Sequence, residues 1–158
     1  MKTKNLSLNK KLLILDTSVI LSFLLSFKET NIKKIFELIY NNKLQIASSD
    51  LLYKELTKAI SAEKYKKSRF YNERTVGKFI AWYKHNTLRY EDGVKKIELF
   101  SRDANDNMFL SLAEVSNADF IISVDKDLLE MIKIGKTKIV TPKQFILQSS
   151  VINKRQHF

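Results

Sequence analysis

Lys11-Leu12-Leu13-Ile14-Leu15-Asp16-Thr17-Ser18 is an apolar run that ends in an acid. Asp119-Phe120-Ile121-Ile122-Ser123-Val124-Asp125-Lys126-Asp127 is a second run of the same shape. Continuous apolar stretches of this length, rich in Ile and Leu, suit strands covered on both faces, as in a parallel sheet. Between them, Arg102-Asp103-Ala104-Asn105-Asp106-Asn107 is a polar turn that leads into a helical pattern with Phe109, Leu112, Ala113 and Val115 on its buried side.

Working outward, Thr17 or Ser18 caps a helix through Phe27, and Thr30 or Asn31 caps a second helix carrying Ile32, Ile35, Phe36, Leu38 and Ile39. Leu44-Gln45-Ile46-Ala47 reads as the second strand. A helix follows, capped by Ser48 or Ser49, with Leu51, Leu52, Leu56, Ala59 and Ile60 inward and Glu55 on its second turn. Tyr71 to Asn86 is a further helix. Residues 87–90 and 94–99 look extended about Asp92-Gly93. Phe120 to Val124 is a strand, Lys126 to Ile132 a short helix and Thr137 to Val140 a last strand. A helix opening on Thr141-Pro142 closes the chain before a tail at Lys154 to Phe158. Alternating strands and helices imply an α/β fold with a parallel central sheet. The 158 residues fit a single domain, 1–158, with a core over about 11–147 and short basic tails.

Composition narrows the chemistry. There is no cysteine, which excludes disulfides, thiolate metal sites and a cysteine nucleophile. The two histidines, His85 in a helix and His157 in the tail, give poor support to a Ser-His-acid hydrolase. The net charge of +11 points to a polyanionic partner, against the alternative of a biased Lys-rich composition. The basic N-terminus before Leu12 superficially resembles a signal peptide, but Asp16 interrupts the run. Val19 to Phe27 falls well short of the ~20 residues that span a bilayer. A soluble, cytoplasmic protein with no membrane partner is expected.

In an open parallel sheet, ligands bind at the carboxyl ends of the strands, near the switch in strand order. Asp16 and Asp125 both stand just past such ends. Asp106 opens the helix before the second of them, and Glu55 lies one turn into the helix after strand two. Converging carboxylates repel one another, and a hard divalent cation relieves that cost. Such an ion activates water and stabilises charge on a phosphodiester. Each acid also has a plainer reading. Asp16, Asp106 and Asp125 are natural helix caps, Glu55 a solvated helix acid, Asp103 a surface turn acid and Asp127 an exposed one. An aspartyl phosphatase of the haloacid dehalogenase type wants a second acid two residues after Asp16, where Ser18 stands. The run Lys64, Lys66, Lys67, Arg69, with Tyr65 and Phe70 interleaved, is either a solvated helix end or a patch contacting RNA through phosphates and stacking.

Taken together, Leu15-Asp16-Thr17-Ser18-Val19, Glu55-Leu56, the stretch from Arg102 to Leu110, and Ile122-Ser123-Val124-Asp125-Lys126-Asp127-Leu128-Leu129 resemble the PIN-domain ribonucleases found as toxins of bacterial and archaeal toxin–antitoxin pairs. The resemblance implies a three-layer α/β/α sandwich with a mostly parallel sheet. It implies that Asp16, Glu55, Asp106 and Asp125 are catalytic and hold Mg²⁺ or Mn²⁺, with single-stranded RNA as substrate, a dimer, and an antitoxin as inhibitory partner. Ser123 then supports the last aspartate through its hydroxyl. Asn107 occupies a position where many relatives carry a further acid, which leaves open whether one or two metals bind, and Asp103 stands close behind. The alternative is a non-catalytic RNA-binding module of the same fold.

Overall fold

The computed structural model describes residues 10–26, 30–91 and 107–155. Its first half contains β1 (Lys11–Leu15), α1 (Thr17–Leu25), α2 (Asn31–Tyr40), β2 (Leu44–Ser48), α3 (Asp50–Ile60), α4 (Glu63–Lys66), α5 (Glu73–Asn86) and β3 (Leu88–Arg89). The second half contains α6 (Asn107–Ser116), β4 (Phe120–Ile122), α7 (Lys126–Glu130), β5 (Lys133–Ile134), β6 (Thr137–Val140) and α8 (Pro142–Arg155). Among the described residues the sheet runs β3-β2-β1-β4-β6-β5, parallel except for the β5–β6 pair.

Side chains alternate across a strand, and β1 shows this cleanly. Leu13 and Leu15 face a core built with Ile20, Ile35, Phe36, Phe79 and Phe145, from α1, α2, α5 and α8. Leu12 and Ile14 face a second core built with Phe109, Leu110, Ala113 and Leu128, from α6 and α7. Helices thus cover both faces, and the fold is the three-layer α/β/α sandwich with a mostly parallel sheet. The strands in the middle, buried on both sides, needed the unbroken apolar runs from which they were read.

β1 has β2 on one side and β4 on the other. Strand order therefore reverses between β1 and β4, and the crevice this creates opens at their carboxyl ends. The register Leu15↔Ile122 brings residues 16 and 123 level just beyond that edge. The pairing continues one step past the strand, with the Asp16 amide donating to the Ile122 carbonyl at 3.0 Å. At the opposite edge the Asp119 carboxylate accepts from the Leu12 amide at 2.8 Å.

Several local expectations change. Leu51 and Val115 are exposed, at 49% and 38%, not inward. The buried stripe of α3 is Leu52, Leu56 and Ile60, and Leu51 lies about 100° around the helix from Leu52. On α6 the buried positions are Phe109, Leu110, Leu112 and Ala113. β4 ends at Ile122, because the Ser123 hydroxyl accepts from the Asp125 amide at 2.9 Å and turns the chain. The edge strand β5 was not anticipated. It is two residues long and antiparallel, joined to β6 through Gly135 at φ 55, where a side chain would be strained. α8 extends to Arg155, past the expected start of the tail. The extended stretch 94–99 lies outside the described residues, as do Phe27, Asp103 and Asp106.

The Asp119 carboxylate supplies the partner of an amide at the amino end of the central strand. Asp119→Ala is expected to destabilise the fold by about 1.5–3 kcal/mol, measured by urea unfolding, with an unchanged m-value.

Candidate active site

The geometry at the β1–β4 edge is set by three side chains. Asp16 is only 7% exposed and Ser123 is fully buried. The Ser123 hydroxyl donates to Asp16 Oδ2 at 2.6 Å. The same hydroxyl oxygen accepts the Asp125 amide. One hydroxyl therefore ties the carboxylate after β1 to the backbone of the aspartate after β4. Period-two alternation carried one step past each strand places Asp16 on the side of Leu12 and Ile14, and Ser123 on the side of Ile121, which is one and the same face.

Both acids also cap helices. Asp16 accepts from the Ser18 amide at 3.4 Å and from the Ser18 hydroxyl at 3.1 Å, at the start of α1. Asp125 Oδ1 accepts from the Asp127 amide at 2.8 Å, at the start of α7. Capping and convergence on one edge are therefore not alternatives here; the same two side chains do both. The Ser18 hydroxyl was not singled out as an Asp16 partner from the sequence. A hydroxyl two residues after a capping aspartate is the signal that points to it.

Burial pushes the Asp16 carboxyl above its ordinary range. The hydrogen bonds from Ser123 and Ser18 oppose this, and the negative charge of Asp125 adds to it. A desolvated carboxylate with a second acid as neighbour is a place where a cation is favoured.

The other expected residues are placed less tightly. Glu55 lies on the second turn of α3, half-buried, with no hydrogen bond or ion pair among the described residues. Among the described residues, no group of three or more acids or histidines stands close enough to hold an ion. Asp16 and Asp125 are thus brought together, Glu55 is not gathered with them, and Asp103 and Asp106 lie outside the described residues. Asp127 is exposed, as expected.

Asn107 opens α6. That helix packs on the Leu12/Ile14 face and ends at Ser116, four residues before the amino end of β4. Its first turn therefore stands at the carboxyl edge, on the side that Asp16 occupies. The Asn107 Oδ1 atom is buried without a hydrogen-bond partner among the described residues, and such an atom calls for a water or an ion. Carboxylate oxygens with a neutral amide oxygen form an all-oxygen donor set, which suits Mg²⁺ or Mn²⁺.

The raised Asp16 pKa fixes the sign of a pH effect. Its folded-state value lies above the ordinary 3.8, so the native state binds the extra proton. Stability in metal-free buffer falls as pH rises from about 3.8 through the raised value. Asp16→Asn removes that contribution. In EDTA, its Tm relative to wild type is expected to climb across this window, read by differential scanning fluorimetry; a pH-independent difference would contradict the reading.

Comparison with known proteins adds to this geometry. The crystal structure of VapBC2 from Rickettsia felis bound to a DNA fragment from their promoter includes a chain with a similar fold, at 14% identity and a TM-score of 0.52. The similarity covers 81% of this chain and 96% of that one. No curated protein matches at the level of sequence. The family model described as "PIN domain" matches residues 12–127, from β1 through the Asp125 turn. The chain belongs to the PIN domain family.

Proposed function

We propose that this protein is a Mg²⁺- or Mn²⁺-dependent endoribonuclease that hydrolyses phosphodiester bonds of single-stranded RNA. The observation that carries this reading is the 2.6 Å bond from Ser123 to the buried Asp16 carboxylate, which ties that carboxylate to the backbone of Asp125 across the switch point. Family membership supports a nuclease. The excess of Lys and Arg supports a polyanionic substrate.

In this reading Asp16 and Asp125 hold the ion, with Glu55 and Asp106 completing the catalytic acids. A bound divalent ion supplies an activated water and neutralises charge on the scissile phosphate. Ser123 and Ser18 hold the Asp16 carboxylate in its ionised form and fix its orientation. Asn107 offers a neutral oxygen where a further acid would add repulsion, which favours one ion over two, and Asp103, three residues before Asp106 in the sequence, supports the site. The protein acts as one domain in the cytoplasm; no described helix is long and apolar enough to cross a membrane. It serves as the toxin of a toxin–antitoxin pair, as a homodimer inhibited by its antitoxin. A toxin–antitoxin complex among the similar structures supports that assignment.

The competing reading is a non-catalytic RNA-binding module, in which the exposed cations of α3 and α4 are the functional element. Cleavage assays separate the two. Wild type is expected to cut single-stranded RNA with Mn²⁺ and not in EDTA, and Asp16→Asn to lose at least about 100-fold of that rate. Folded wild type that binds RNA but never cuts it would favour the module.

Ser123→Ala removes a hydrogen bond that holds the Asp16 pKa down. The acid limb of the rate profile is expected to move to higher pH, with the high-pH plateau reduced less than in Asp16→Asn. An unchanged acid limb would detach Ser123 from the chemistry.

A further inference from the structure

The α3–α4 segment carries positive charge that the site at the β1–β4 edge does not use. From Asp50 to Phe70 the cations are Lys54, Lys58, Lys64, Lys66, Lys67 and Arg69, against Asp50, Glu55 and Glu63. Asp50 is paired with Arg89 at 3.3 Å and Glu63 with Lys66 at 4.0 Å. Lys54, Lys58, Lys64, Lys67 and Arg69 have no acid partner among the described residues.

These five are arranged, not scattered. Lys54 and Lys58 are exposed and one helical turn apart, on the outer side of α3 from the buried Leu52–Leu56–Ile60 stripe. Their rise along the axis is about 6 Å. α3 starts at the carboxyl edge of β2, beside Glu55, and its 11 residues carry the chain about 16 Å away from that edge. α4 follows at its far end. There Lys64 lies 4.8 Å from the centroid of the Tyr65 ring, and Arg69 lies 4.7 Å from that of Phe70. Tyr65 packs against the Leu21–Ile60–Val76 core. The Tyr65 ring therefore acts as an anchor that holds Lys64 in place, and the Phe70 ring carries Arg69.

We propose that Lys54 and Lys58 on α3, continuing into Lys64, Lys67 and Arg69 around α4, form a phosphate-binding track. It leads a single-stranded RNA away from the acid edge. This rests on the nucleic-acid reading above. Leu51, 49% exposed, lies one turn before Lys54 on the same outer face of α3, but from Lys54 to Arg69 no large apolar side chain is exposed. An acidic protein segment is ordinarily gripped by several apolar anchors as well as charge, whereas a surface that is cationic over most of its length suits a phosphate backbone read without regard to sequence. The track binds through charge and is independent of the metal, so it operates even where the acid edge is silent.

The test is fluorescence polarisation in EDTA with labelled single-stranded RNA of about 12 nucleotides and of about four nucleotides. Wild type is compared with Lys54→Ala/Lys58→Ala and with Lys64→Ala/Lys67→Ala/Arg69→Ala; thermal midpoints establish that each variant is folded. The salt slope for the long RNA is expected to fall by about 1.4 in the first variant and about 2 in the second. Affinity for the short RNA should respond to the first variant more than to the second. Wild-type affinity and slope in both variants would overturn the track. So would equal or tighter binding of poly-glutamate, which would assign the surface to an acidic protein. EDTA prevents cleavage, so failure of the nuclease reading shows separately, as absent cutting with Mn²⁺ while binding persists.

Discussion

The hydrogen bond from Ser123 to Asp16 is the constraint on which the candidate site depends. It exists because β1 and β4 are parallel neighbours in a register that puts residues 16 and 123 level. A shift of one residue would turn every side chain of one strand to the opposite face, moving Ser123 away from Asp16 and apolar residues out of both cores. The register is therefore held by the same burial that stabilises the sheet. At the other end, Asp119 holds the Leu12 amide. The central strand is fastened at both ends by groups from the segment around β4.

This arrangement places a carboxylate where the fold itself disfavours the charge. Desolvation raises the Asp16 pKa and Asp125 adds repulsion. The two serines oppose that shift by donating hydrogen bonds to the ionised form. In the proposed reading, a bound cation would relieve the cost of this desolvated charge. Helix capping by Asp16 and Asp125 fixes both backbones without using up all of their oxygen lone pairs. The neutral Asn107 oxygen at the start of α6 provides a further acceptor without adding to the repulsion.

Much of this was legible in the sequence, for identifiable reasons. Apolar runs at 11–15 and 120–124 announce strands buried on both faces, and the acids that follow, Asp16 directly after β1 and Asp125 three residues after β4 ends at Ile122, mark the carboxyl edge. Thr30 and Ser49 cap helices as their side chains allow, whereas Asn72, read as lying inside a helix from Tyr71, is the cap of α5. The hairpin of β5 and β6 was missed because a two-residue strand has no period to detect. Leu51 and Val115 were misassigned because a leucine or valine next to a buried stripe looks the same in sequence as one within it. That Tyr65 packs against Leu21, Ile60 and Val76 is an orientation that tertiary packing, not spacing along the chain, determines. Glu55 on α3 is legible as a helix acid, but its distance from Asp16 depends on the tilt of the helix and not on spacing along the chain.

Charge is divided along the molecule in a way consistent with these roles. The two acids at the switch point stand on an otherwise strongly basic chain, and the cations of α3 and α4 without an acid partner among the described residues begin at Lys54, the residue before Glu55. The central claim is that the β1–β4 edge is a metal centre built on Asp16 and Asp125. The most direct measurement is anomalous diffraction from crystals grown with Mn²⁺. A metal centre there gives a peak within about 2.1 Å of carboxylate oxygens of Asp16 and Asp125, lost in Asp16→Asn. A folded wild-type crystal with Mn²⁺ bound elsewhere, or with no peak at that edge, would contradict it.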